Sequence, residues 1–407
     1  MRERRTALPK PCVATLYIGA MTDATNPKIL IGASIPRSGH HFLADMMTSY
    51  FGPDLYYCET YTPTNCCRQA PCTRRGAFRY IYQKSHDRNF KLPADIADAL
   101  YLVQYRHPVA EALSDRELDM RDTPGRPSLN WRRTRESFMM WLAAKAAYYR
   151  KFHDKWMVRR PENAVYLDYV DLSQRPDEMM REIVAKAGAS LDEGRLVHAV
   201  EESGGVLGGA RKKRVAYTPR VNSDSPFYDA ELLGVFEDFI LKRCPAYGFA
   251  RELEGSYEES ALYGLILLRD LDEPLPKGET KRFPVAARLA PDHPEVLRRF
   301  ALRALREGRA VPAIKRVEKL LADHPYFGDA YAVLFKACAE AGRPVPDSVL
   351  TGNALIACSE SAELSLALGA AFQAHGQHVN AMAAYAIAGA VEPGNEVARE
   401  RLAAIRD

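Results

Sequence analysis

The sequence predicts a chain in two parts: a three-layer α/β domain around a central parallel sheet, then an all-α domain of helical repeats. Three features predict it. Strand-like apolar runs are each followed by a helical pattern, strands cease after about residue 255, and glycines recur every 34 residues thereafter.

Three apolar runs have the length and β-branched or aromatic content of buried strands, KILIGAS (28 to 34), ALYLVQY (99 to 105) and NAVYLDY (163 to 169), and RYIYQK (79 to 84) reads as a further short strand. Helices are expected over 40 to 50, 109 to 120, 134 to 155 and 176 to 187. Alternation of this kind requires crossovers, hence a parallel sheet, and a ligand would sit outside the carboxyl ends of its strands. A polar stretch, DLDEPLPKGETKRFP, reads as a linker, so the expected division is 1 to 255, a linker over 256 to 282, and 283 to 407. In the last part Gly308, Gly342 and Gly376 stand 34 residues apart. Ala313 and Ala381 follow the first and third at a common offset, as do Pro325 and Pro393, while Ala354 and Ala388 follow the second and third. The middle unit has Ser359 in place of its proline. Small residues at fixed phase mark close helix contacts, and residues 291 to 393 resemble tetratricopeptide repeats, helix pairs that bury their faces only by stacking.

Composition narrows the function. With 407 residues, 47% of them hydrophobic, the chain can bury more than one core. Its 56 basic and 52 acidic residues, net +4, do not suit a protein that coats nucleic acid, so a small anion is the expected partner. No run reaches the roughly 18 apolar residues of a membrane span, and the N-terminal stretch lacks a continuous apolar segment, so a cytoplasmic location is expected. Of eight cysteines, Cys58, Cys66, Cys67 and Cys72 crowd together without a CxxC pair or structural-zinc spacing. They read as thiols or a local disulfide, and no metal is expected.

The first strand breaks at Pro36 into Arg37, Ser38 and Gly39 before a helix start. Unpaired N–H groups and the helix dipole favour negative charge there; Gly39 allows close backbone approach, Ser38 adds a hydroxyl and Arg37 a forked cation. The expected guest is a phosphate or sulfate group, against the alternative of an ordinary strand-to-helix turn. A Walker A loop is excluded, because Gly32 and Gly39 are seven apart and no lysine follows the second.

IPRSGHHFL resembles the phosphosulfate-binding loop P[KR]SGTTWL of sulfotransferases, and three more stretches agree in order and separation. Lys84-Ser85-His86 is similar to the family's K[TS]H. Arg106 and Ser114 in YRHPVAEALS resemble its 3′-phosphate motif, and Tyr169 in YVDL stands where YEDL places a tyrosine against adenine. The resemblance covers about residues 28 to 250 and implies a P-loop-type domain that moves a sulfonate from 3′-phosphoadenosine 5′-phosphosulfate (PAPS) to an acceptor hydroxyl. It implies His86 as general base, Lys84 and Arg37 on the sulfonate and leaving oxygen, and Arg106 and Ser114 on the 3′-phosphate. Ser38, Gly39, His40, His41 and Phe42 would complete the donor loop.

Departures are specific. Arg37 stands where many soluble members carry lysine, His40 and His41 replace a threonine pair, and Phe42 replaces a tryptophan that packs on adenine. The family's closing RKGxxGDWKN is reduced to GGARKKRVAYTPRVN, in which Arg211 and Lys212 align with its opening pair. A saccharide hydroxyl is the expected acceptor and a protein hydroxyl the alternative, with a protein partner on the repeats. Two other readings stand beside this one: a P-loop kinase, disfavoured by the missing Walker lysine, and a non-catalytic interaction protein with a degenerate nucleotide site.

Overall fold

In a computed structural model, the structure describes residues 27–59, 67–73, 78–88, 91–121, 129–203, 223–269 and 282–406. Five parallel strands form one sheet in the order β2-β3-β1-β4-β5: β1 (Lys28–Ser34), β2 (Leu55–Glu59), β3 (Tyr80–Ser85), β4 (Leu100–Tyr105) and β5 (Ala164–Asp168). The four strands expected from sequence are present within a residue or so of their expected ends. The edge strand β2 is an addition, since its five residues LYYCE open the cysteine-rich stretch and were not read as a strand.

One face of the sheet carries α1 (His40–Phe51), and the other carries α2 (Pro108–Arg121), the short α3 (Leu129–Arg132) leading into α4 (Arg135–Phe152). After β5 the chain returns to the first face with α5 (Tyr169–Gln174), α6 (Pro176–Lys186) and α7 (Glu193–Ser203), and α8 (Ala230–Arg243) joins the second. Two apolar cores result. Leu43, Met46 and Met47 of α1 meet Leu30, Leu102 and Leu167 on one side; Leu113, Leu142 and Phe236 meet Ile31 and Val103 on the other. Residues of β1, β3 and β4 are buried on both faces, which is why β1 and β4 read as apolar runs, while β3 buries the polar Gln83, Lys84 and Ser85 at its carboxyl end.

Helix starts follow local chemistry. Thr134 caps α4 by accepting from Ser137 N at 3.2 Å, Asp168 caps α5 by accepting from Val170 N at 2.7 Å, and Pro108 occupies the first position of α2. The end of α4 differs from expectation: the last turns, His153–Val158, widen into a π-helix.

Beyond residue 255 the described residues are helical. Helix α9 (Ala261–Arg269) lies in the segment expected as linker, yet Leu262, Leu265 and Ile266 are buried in the same core as α4 and α8. Next come α10 (Arg282–Leu289), α11 (Pro294–Arg306), α12 (Ala310–Asp323), α13 (Gly328–Ala341), α14 (Gly352–Cys358), α15 (Ala362–Ala374), α16 (His378–Val391) and α17 (Glu396–Arg406). Gly308, Gly342 and Gly376 each follow a helix with φ of +72°, +60° and +70°, a conformation that ends a helix at no steric cost only for glycine. Ala313, Ala354, Ala381 and Ala388 are fully buried between helices. The middle unit departs where Pro344 and Pro346 delay the next helix until Gly352, after a 3₁₀ turn at Asp347–Val349. Among the described residues, no helix is long and apolar enough to cross a membrane.

Candidate active site

The chain runs from β1 outward to β2 and β3, then crosses to β4 and β5, so the sheet reverses direction around β1. The helices leaving β1 and β4, α1 and α2, lie on opposite faces, which opens a crevice outside the carboxyl ends of these two strands. The sequence motifs arrive at that edge from four strands.

The turn after β1 is held from within: Ser38 Oγ donates to Ile35 O at 2.6 Å, and Ser38 is fully buried. Arg37 and Gly39 both adopt left-handed backbone, φ +60° and +83°. At Gly39 a Cβ would stand 2.9 Å from the Tyr169 ring, so glycine is required by both conformation and space. Arg37 Nε donates to Ser114 Oγ at 3.0 Å, and Arg106 Nη1 donates to the Arg37 carbonyl at 3.1 Å. The Arg106 guanidinium lies 4.4 Å from the centre of the Tyr169 ring. Arg37, Gly39, Arg106, Ser114 and Tyr169, distant in sequence, thus form one cluster. Within it Arg106 Nε is buried with no hydrogen-bond partner among the described residues. An unpaired guanidinium donor is costly to bury, and a phosphate oxygen would satisfy it.

A second cluster adjoins it at the end of β3. His86 Nδ1 is 2.8 Å from Ser34 O and 3.0 Å from Ser34 Oγ. A carbonyl only accepts, so Nδ1 carries the proton and Nε2 keeps its lone pair, facing Lys84 Nζ at 3.1 Å. Lys84 also donates to Glu59 Oε1 at 3.2 Å. Burial, and next the Lys84 charge, hold His86 down to about 3; burial lowers Lys84 to about 8 although Glu59 pulls the other way. The imidazole is therefore neutral at physiological pH.

The histidine pair of the loop divides. His40 is buried, its ring edge-on to His86 at 4.8 Å and its Nε2 3.9 Å from Glu59 Oε1, and burial together with the Lys84 charge keeps it neutral. His41 is exposed. Phe42 is partly buried against the core shared by α1 and the sheet. Arg211 and Lys212 lie outside the described residues.

Sequence reasoning missed several residues that set this geometry. Glu59 sits in register with Lys84 across β2 and β3, a pairing that depends on the unread edge strand. Tyr148 of α4 donates to the His86 carbonyl at 2.6 Å, and Tyr149 donates to the Arg106 carbonyl at 3.1 Å, so adjacent residues of one helix fix both motif backbones. Asp87 accepts from Leu92 N at 2.7 Å, Lys155 Nζ at 2.7 Å and Trp156 Nε1 at 2.9 Å, pinning the turn that carries His86. Lys145, buried, pairs with Glu111 and Asp115 on α2 beside Ser114. Of Glu59, Asp87, Lys145, Tyr148 and Tyr149, only Asp87 adjoins a motif, directly after His86. A small cavity lined by Met140, Leu265, Leu268, Glu295 and Arg299 includes none of these residues.

No family model matches the chain, and no curated protein matches it. Among solved structures it is similar to the crystal structure of a mouse sulfotransferase, SULT7A1, complexed with PAP: 15% identity, 54% of this chain and 83% of that chain covered, TM-score 0.37.

Proposed function

We propose that the chain is a sulfotransferase that moves a sulfonate group from PAPS to an acceptor hydroxyl. The observation that carries this reading is the contact of the Lys84–His86 pair, its imidazole neutral and fixed by Ser34, on the same sheet edge as the Arg37–Arg106–Ser114–Tyr169 cluster. The donor bears anionic groups at two ends, and the edge offers cations for both. Arg106 and Ser114 take the 3′-phosphate, with the unpaired Arg106 Nε as a waiting donor. Tyr169 lies against the adenine, and Arg37 with the backbone of the loop holds the phosphosulfate.

In the reaction the acceptor oxygen attacks sulfur in line. The bond from sulfur to the bridging oxygen breaks, its electron pair stays on the leaving nucleotide, and the hydroxyl proton passes to His86 Nε2. The products are a sulfate ester and adenosine 3′,5′-bisphosphate. The protein's work is orientation and charge neutralisation, as in phosphoryl transfer. An incoming sulfonate draws Lys84 away from Nε2, which frees the base and raises its affinity for a proton just when one must be accepted. We further propose a saccharide hydroxyl as acceptor, with a protein hydroxyl as the alternative, and tetratricopeptide-like repeats in the helical part that present a surface to a protein partner.

Calorimetric titration with adenosine 3′,5′-bisphosphate and with ATP tests the reading. Tight binding of the bisphosphate alone is expected. Preference for ATP would point to a kinase, and binding of neither to a non-catalytic protein. Incubation of the protein with labelled donor and fractionated cell extract then identifies the acceptor.

A further inference from the structure

One residue back from Glu59, the outer strand β2 carries a second constellation. The sulfur atoms of Cys58, Cys67 and Cys72 all lie within 4.8 Å of one another, and those of Cys67 and Cys72 are 3.5 Å apart. They come from two segments. Cys58 is fixed by the sheet, where it pairs in register with Gln83 of β3. Cys67 and Cys72 belong to the hook over 67–73, and the Gln83 side-chain amide fastens that hook by donating to Gln69 O at 2.6 Å. Cys58 and Cys72 are fully buried, together with Ile81 and against Ile29 and Tyr56. None of the six described cysteines is in a disulfide.

We propose that Cys58, Cys67 and Cys72 bind a zinc ion through three thiolates, clipping the hook to the edge strand. Zinc–sulfur bonds of about 2.3 Å in tetrahedral array place ligand sulfurs about 3.8 Å apart, so the observed spacing needs only a small contraction onto a metal. A disulfide joins two sulfurs at about 2.05 Å and would leave the third converging thiol without a reason to be there. Thiolate ligands and an apolar surround select a borderline-soft cation over calcium or magnesium, and the fourth vertex falls to water or another donor. The cysteine spacing hid the site because a strand residue and a hook supply the ligands, where a paired CxxC would have announced it.

The test uses the full chain, purified under reducing conditions and without added metal. Elemental analysis should find about one zinc per chain, and cobalt substitution should give a thiolate-to-metal charge-transfer band. Cys58→Ser and Cys72→Ser should each lower the metal content to below roughly a tenth of an equivalent, while Cys338→Ser, in the helical part, should retain it. Should the cysteine variants fail to fold, titration of the unaltered protein with a mercurial decides: zinc must leave in step with thiol modification. Three outcomes overturn the proposal: no metal in the unaltered protein, zinc retained after its thiols are blocked, or a Cys67–Cys72 disulfide found by peptide mapping.

Discussion

In the proposed reaction two side chains, His86 and Lys84, carry most of the chemistry, and their protonation fixes what should be measured. With His86 held to about 3, the profile of kcat/KM should show no acid limb near the ordinary histidine value of 6.5. Lys84, lowered to about 8, should give an alkaline limb at or above that value as its ammonium is lost; Lys84→Arg should move the limb out of range, and a limb that stays would clear Lys84 of responsibility. Replacing His86 by Ala should cut transfer by roughly 100- to 10,000-fold while bisphosphate affinity stays within a few-fold, as read by single-turnover assay beside calorimetry. Arg106→Ala should do the opposite. Losing charged hydrogen bonds worth about 1.5 to 3 kcal/mol each should weaken the bisphosphate at least tenfold, and unchanged affinity would assign the 3′-phosphate elsewhere. Glu59 illustrates why some site residues stayed out of sight. It touches Lys84 across 25 residues of sequence, and only the strand pairing of β2 with β3 brings the two together.

At the level of elements, legibility followed periodicity. Long buried runs such as KILIGAS and LYLVQY were plain because both faces of a central parallel strand are covered, and α2 and α4 were plain because their apolar spacing fits one helix face. Strand β2 is short and lies at the edge, and its tyrosines and cysteine carry no alternation, so nothing local distinguished it from the cysteine-rich segment that follows. The π-turn at His153–Val158 was equally silent, since one widened turn leaves the residue pattern nearly unchanged. The turn between β1 and α1 was legible for a different reason: its residue types are dictated by backbone geometry. Gly39→Ala meets both a left-handed φ of +83° and the Tyr169 ring. It should destabilise the fold by about 1 to 3 kcal/mol in urea unfolding and displace Tyr169, so bisphosphate affinity should fall with it. A variant of full affinity would show that Tyr169 does not need this contact.

Across the whole molecule, burial ties the helical part to the sheet. Helix α9 covers α4 and α8 with Leu262, Leu265 and Ile266, so a chain ended at residue 255 should expose that apolar surface and aggregate where the full chain stays in solution; light scattering of the two distinguishes them. The proton balance is also a global property. His40, His86 and His293 are all held below 6.5 by burial, so the unfolded chain binds more protons than the folded one below that pH. Their contribution is complete above 6.5 and declines as the medium is acidified, so the urea midpoint should drop between pH 7 and pH 5, and less in a His293→Gln variant. Helix α4 gives this unity its sharpest form. Tyr148 and Tyr149 near one end secure the backbones of His86 and Arg106, while Met140 packs into the core of the later helices and the Glu136 carbonyl lies 3.2 Å from His293 Nε2. Such a rod belongs to both halves. Grafting experiments that exchange the C-terminal helices for those of another protein would have to rebuild the socket for Met140 and His293, or the swap would loosen residues two helical turns away that never touch the exchanged part.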